Sequence, residues 1–254
     1  MTALAWPIGF TVLVWWASTG AIIWLDRLPR RTFPWTMLAA TALLVAALGG
    51  LAASRDLTTP AAAYCAFASS ILVWGWQEIA FLLGYVTGPR RTPCPVEATG
   101  WRRARYAFQA VLHHELALVV LGMAVLAVTW GGANRCGVWT YAILWTMRQS
   151  AKLNVFLGVR NLNGEMLPAH LSYLASYFRR RRMNLLFPVS VMAPMLVVVP
   201  LWQGALASVA GGFEAAALAL AGSLLALAIL EHWFLVLPLP SEQLWRWAMG
   251  ARRA

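Results

Sequence analysis

Eight ionisable side chains stand inside long apolar runs of this 254-residue chain: Glu78, His113, His114, Glu115, Arg148, Lys152, Glu231 and His232. Such a group costs free energy in lipid, faces protein interior or water as a rule, and so marks a site. His113, His114 and Glu115 share one turn of "AFQAVLHHELALVVLGMAV", residues 107–125. Arg148 and Lys152 are spaced i, i+4, which places them on one helix face. Glu231 and His232 are adjacent and point about 100° apart on a helix.

Three chemistries fit these residue types. The first is a structural ion network, with Glu78, Glu115 and Glu231 paired to Arg148 and Lys152 and the histidines completing the hydrogen bonds. It needs no ligand. The second is a metal site. Glu and His from facing helices hold iron in carboxylate bundles, and Glu78, His114, Glu115, Glu231 and His232 would be the donors here. Against it, no Glu-x-x-His occurs within a span, and two nearby cations oppose a metal's charge. The third is tetrapyrrole binding, in which neutral His113 or His114 ligates the magnesium of a bacteriochlorophyll. A proton or small-solute relay is less well supported, because the chain has no visible repeat and no matching pair of broken helices.

The elements that position these residues follow from composition. The chain is 61% hydrophobic and only 11% charged, with a mean hydropathy of +0.65. A soluble domain carries about twice that charge fraction. Several apolar runs reach the roughly 20 residues that cross a bilayer as a helix. The first run lacks the basic flank of a signal peptide. Seven spans are predicted, at roughly 4–25, 33–53, 60–87, 106–130, 137–159, 186–206 and 213–237. With no linker or low-complexity segment, residues 1–254 read as a single all-α integral membrane domain, a polytopic helix bundle with short interfacial helices.

Sixteen of the twenty basic residues fall in loops 26–32, 88–105 and 160–185 and in the tail, whereas the alternate loops hold only Arg55 and Arg135. The basic side is cytoplasmic, so the expected orientation is N-out and C-in. The net charge of +11 then suits anionic headgroups on that side, and no nucleic-acid-binding signature accompanies it. On this topology the ionisable residues of four spans fall roughly 9–15 Å from the cytoplasmic boundary, at 1.5 Å per residue. They form one slab, and the His113–Glu115 turn is expected to face the interior near Glu78 or Glu231.

Below the slab, Asn161, Asn163, Glu165 and His170 enter the cytoplasm and form a candidate cap. Residues 167–183 read as an interfacial helix with Leu171, Tyr173, Leu174, Tyr177 and Phe178 turned to lipid and Arg179 to Arg182 at the headgroups. "SEQLWRWAMGARR", after Pro238 and Pro240, reads as a short surface helix. Many of the 15 tryptophans lie near predicted interfaces, as in an aromatic belt. Cys65, Cys94 and Cys136 show no pairing pattern and no CxxC.

The stretches "WGWQEIAFLLGYVTGPRR", "HHELALV", "MRQSAKLNVFLGVRNLNGEMLPAHLSYLASYF" and "LEHWFLVLPLP" together resemble the PuhE-type photosynthetic complex assembly proteins, over about residues 5–248. The resemblance implies a multi-pass protein of the inner (intracytoplasmic) membrane of phototrophic bacteria. Its expected role is assembly of the reaction centre and light-harvesting complex. The expected partners are membrane lipid, subunits of those complexes and pigment-synthesis proteins. Bacteriochlorophyll or a precursor is the expected ligand, with iron the weaker choice. The family supplies no catalytic residues. A binding role is favoured over catalysis, and the alternative is a membrane metalloenzyme acting on a tetrapyrrole or other hydrophobic substrate.

Overall fold

The computed structural model describes residues 2–162, 167–208 and 212–250. Among them the regular elements are helices: α1 Thr2–Asp26, α2 Phe33–Ser54, α3 Pro60–Leu82, α4 Gly100–Val128, α5 Cys136–Leu157, α6 Leu186–Ala207, α7 Phe213–Phe234 and the short α8 Arg246–Met249. Six of these, α1 to α4, α6 and α7, are long and apolar enough to cross a membrane, and the chain is a multi-pass membrane protein. The seventh expected span, α5, matches α6 and α7 in length at 22 residues. It is less apolar because Arg148, Gln149, Lys152 and Asn154 lie on it.

Local sequence sets the helix ends. Thr59 accepts a hydrogen bond from the Ala62 amide at 3.2 Å and Pro60 opens α3, a standard N-cap followed by proline at the first helical position. The apolar run of the third span continues to residue 87, yet α3 stops at Leu82. Gly84 takes a φ of 85° there, a left-handed conformation suited to glycine, and turns the chain. Conversely α4 begins at Gly100, before its apolar run, and carries Arg102, Arg103 and Arg105 on its first turns.

Two helices form the centre. In an apolar 18-residue stretch of α3 and of α7, 56% and 61% of residues are buried, against 17% in α1 and α2 and 22% in α4 and α6. Lipid tails are as apolar as leucine, so close fit and polar links hold helices together in a membrane. The α7 sequence "EAAALALAGSLLALA" supplies the small residues such fit needs: Ala215, Ala216, Ala219, Ala221 and Gly222 are all buried. The main apolar core joins Leu51, Phe67, Leu118 and Leu220 with Trp74 and Tyr141. Outward faces stay apolar, with Leu38, Val120, Met123, Met192 and Leu196 each more than 60% exposed.

The predicted interfacial helix takes another form. Ala169–Tyr177 is a 3-10 helix, followed by extended chain. Leu171, Leu174 and Tyr177 pack against Phe81 and Ala110 instead of facing lipid. Beyond them, Val159 exchanges backbone bonds with the facing segment 179–181: its amide donates to the Arg179 carbonyl at 3.1 Å, and the Arg181 amide donates to its carbonyl at 3.0 Å. This segment therefore closes the ends of α3, α4 and α5. The C-terminal segment does form a short helix, and Trp245 and Trp247 pack on Trp15 and Trp16 of α1.

Candidate functional site

The seam between α3, α4 and α5 is layered. Near its start Ser70 Oγ donates to the Gly137 carbonyl at 2.8 Å. One turn on, Trp74 meets Tyr141 edge to face, and the Tyr141 hydroxyl donates to the Leu118 carbonyl at 2.7 Å. The i+3 and i+4 steps from Trp74 on α3 reach Gln77 and Glu78, and one turn back from Leu118 on α4 is His114. The seven-residue step from Tyr141 on α5 reaches Arg148. Helix geometry thus delivers the polar residues of all three helices to one level.

At that level Arg148 Nη2 lies 3.2 Å from Glu78 Oε2. Lys152 Nζ lies 2.7 Å from Glu115 Oε1, and the Gln149 amide donates to the other Glu115 oxygen at 2.5 Å. Arg148 also lies within electrostatic range of Glu231 on α7 and of His114 on α4.

The His113–Glu115 turn splits three ways, because consecutive residues on a helix diverge by about 100°. His114 is 1% exposed, Glu115 is half-buried toward Lys152, and His113 points outward. The expectation that the whole turn faces inward fails at His113. His114 approaches neither Glu78 nor Glu231 by hydrogen bond. Its ring lies 4.4 Å from the Phe81 ring, and both ring nitrogens are buried without a hydrogen-bond partner. Gln77, fully buried on the facing helix, has its amide nitrogen and oxygen in the same condition. Buried polar atoms are nearly always hydrogen-bonded, and each orphan needs an explanation.

The α7 pair behaves differently. His232 is buried, with Nδ1 2.8 Å from the Ala228 carbonyl and Nε2 2.9 Å from Ser150 Oγ. Its neighbour Glu231 turns outward and accepts a hydrogen bond from Trp15 Nε1 at 2.7 Å. On the same side of α5, Asn154 donates to Ser190 Oγ at 2.8 Å, and Asn184 donates to Asn154 Oδ1 at 3.0 Å and the Gly158 carbonyl at 3.0 Å. This second network ties α5 to α6 and α7.

The candidate cap residues act on helix ends. Asn161 Nδ2 donates to the Phe234 and Leu237 carbonyls at 2.7 and 2.5 Å, closing the end of α7. His170 Nε2 donates to the Leu82 carbonyl at 2.8 Å, closing the end of α3. Asn163 and Glu165 lie outside the described residues. Burial lowers the His170 pKa from its ordinary 6.5; the Leu82 hydrogen bond opposes this, and Arg30 and Arg91 add to it. Arg103, buried, donates to the carbonyls of Phe156 and Tyr177 and pins the 3-10 segment under α4. Arg160, Arg180, Arg181 and Arg182 line an open cleft of about 590 Å³.

The donor set proposed for a metal does not converge: among the described residues no three His, Cys, Asp or Glu side chains are placed to hold an ion. Glu78 and Glu115 are already matched to cations, and His232 to Ser150. The three cysteines are free. Several residues that build the site were not singled out from sequence: Gln77, Gln149, Ser150, Asn154 and Asn184. A signal existed for two of them, because Ser150 and Asn154 repeat the i, i+4 step of Arg148 and Lys152 on a second face of α5.

A family model described as "Protein of unknown function (DUF3623)" matches residues 1–254. Among curated proteins, a Rhodobacter capsulatus protein described as an "uncharacterized 30.4 kDa protein in puhA 5'region" is 40% identical over 243 residues, covering 94% of this chain and 88% of that protein. No solved structure matches.

Proposed function

We propose, for a chain that belongs to the family described as protein of unknown function DUF3623, a PuhE-type role as an assembly factor for the bacterial photosynthetic reaction centre and light-harvesting complex. On this reading it holds a pigment or an assembling subunit against the α3–α4–α5 seam, in the inner membrane. It spans the membrane seven times, with α5 as the fifth span, N-out and C-in. The relative's place in the puhA 5' region supports the setting. The sixteen-to-two loop bias supports the orientation.

The observation that carries the reading is His114. It is 1% exposed and has two unpartnered ring nitrogens, with Gln77 similarly unmatched across the seam. A purely structural network would be expected to satisfy these groups, since each buried orphan costs about 1–3 kcal/mol. A ligand entering beside His114 would satisfy them. Glu78, Arg148, Glu115 and Lys152 fix the three helices around that position, and His232 with Ser150 fixes α5 against α7.

The test compares His114→Leu with His113→Leu in a phototrophic host. Protein level is read by immunoblot and complex assembly by near-infrared absorbance. His114→Leu is expected to accumulate and to lose assembled complex, while His113→Leu keeps both. Full assembly with His114→Leu would overturn the reading. Should His114→Leu fail to accumulate, Gln77→Leu serves the same comparison.

A further inference from the structure

A second concave site lies outside the seam, where the ends of α2 and α3 meet the 3-10 segment. It encloses about 300 Å³. Its polar lining includes Arg30, Arg91, His170, Thr87 and Tyr173, and its apolar lining includes Phe33, Leu83 and Leu171.

Among the described residues the two arginines have no ion-pair partner, and Arg91 makes only a long contact to the Gly84 carbonyl, at 3.4 Å. Thr87 is 1% exposed, and its hydroxyl has no well-formed hydrogen bond. The Tyr173 hydroxyl faces that of Thr87 closely enough to interact with it, and neither finds any other partner among the described residues. Two guanidinium groups supply charge-assisted donors, and the Thr87–Tyr173 hydroxyl pair supplies one further O–H. Such a group of donors suits a tetrahedral oxyanion.

The apolar half of the lining identifies what carries that oxyanion. Phe33 and Pro34 open α2, whose outer face continues with Trp35 and Leu38, exposed by 72% and 62%. An exposed Trp at a helix start is an interface anchor. A ligand with its oxyanion between Arg30 and Arg91 would therefore lead its apolar tails down the outside of α2. We infer that this pocket binds the phosphate headgroup of an anionic phospholipid.

The site touches the seam directly through Thr87. The Thr87 carbonyl accepts the backbone amide of His114 at 2.9 Å, so the loop that would hold the headgroup also seats the turn that carries His114. The pocket stands whether or not the seam binds a pigment.

The test uses the full chain, purified in mild detergent and reconstituted in nanodiscs of phosphatidylcholine with or without phosphatidylglycerol. Native mass spectrometry counts the lipid retained per chain. One phosphatidylglycerol is expected to stay bound, with phosphatidylcholine retained at least about tenfold more weakly. Arg30→Gln with Arg91→Gln should lower phosphatidylglycerol retention by about tenfold or more, since each basic residue near a membrane surface adds to headgroup attraction. Both arginines are exposed, so the fold is not at stake, and Thr87→Val gives an isosteric second variant with a smaller loss. Arg55→Gln, whose arginine pairs with Asp56, should change nothing. Equal retention of the two lipids, retention indifferent to the double variant, or displacement by millimolar inorganic phosphate would each overturn the inference, the last by making the site one for free phosphate.

Discussion

Lys152 Nζ stands 2.7 Å from Glu115 Oε1, and one helical turn earlier on α5 Arg148 stands 3.2 Å from Glu78. A single helix face thus answers a carboxylate on each of two neighbouring helices. The two pairs are not equivalent. Glu115 also receives the Gln149 amide, whereas Glu78 has Arg148 as its one side-chain partner among the hydrogen bonds and ion pairs of the described residues.

Removing one member of a fully buried pair costs about 3–5 kcal/mol, mostly through the charge left behind. The loss here is smaller, because 45% of the Arg148 side chain is exposed. Arg148→Met is nonetheless expected to lower the melting temperature in detergent more than Lys152→Met does, because Glu115 retains a donor and Glu78 does not. Adding Glu78→Gln to Arg148→Met should recover at least half of the loss. No recovery in the double variant would mean that the Arg148 stem, not its charge, is what the fold uses.

The proposed orientation makes a separate prediction. An alkaline phosphatase fusion after residue 250 should be inactive and a green fluorescent fusion there should be bright, since phosphatase folds outside and the fluorescent protein inside. A fusion in the 130–135 loop should behave oppositely. A phosphatase-active C-terminus would remove α5 from the set of spans.

Much of this was legible in the chain, and the reason is the membrane. Apolar runs of fixed length give the helices, and the rarity of charge inside them gives the level at which Glu78, Glu115, Arg148 and Lys152 meet. Depth is readable from sequence because rise per residue is fixed. Facing is less so: small errors in register decide that His114 points in and His113 out. The 3-10 form of Ala169–Tyr177 was hidden because a row of leucines and tyrosines suits lipid and a neighbouring helix equally. Only the tertiary contact with Phe81 and Ala110 separates the two. Neutral polar links such as Asn154 to Asn184 were missed because Asn and Ser carry no charge to mark them in an apolar run.

His170 gives a pH prediction outside the spans. Its pKa is lowered in the fold by burial, with Arg30 and Arg91 adding to the effect. The unfolded chain therefore binds the proton more readily, and stability falls as pH drops through about 6.5. In phospholipid-free detergent the melting temperature should decline between pH 7.5 and 5.5. His170→Gln should show a shallower decline. The comparison isolates His170, since His113, His114 and His232 are present in both proteins. Parallel declines would show that the His170 contact with Leu82 is insensitive to charge.

The turn after α3 carries the last prediction. Gly84 has a φ of 85° and a Cβ there would lie 3.0 Å from Cδ2 of His170. A non-glycine residue in the left-handed region costs about 1–2 kcal/mol, and the imidazole would also be pressed off the Leu82 carbonyl. Gly88, four residues on, lies against α4, where a Cβ would collide with the backbone of Gln109 and Ala110. Backbone cannot swing aside as a side chain can, so Gly88→Ala forces the loop off the helix, an overpacking cost of about 1–3 kcal/mol. The two substitutions should differ in what they disturb. Gly84→Ala should weaken the pocket around His170 and leave the seam intact. Gly88→Ala should pull Thr87 from the His114 amide and so reach the seam. Hydrogen exchange reads this directly: faster exchange at His114 is expected in Gly88→Ala and not in Gly84→Ala. Equal exchange at His114 in both variants would mean that the Thr87 loop does not hold the turn on which His114 sits.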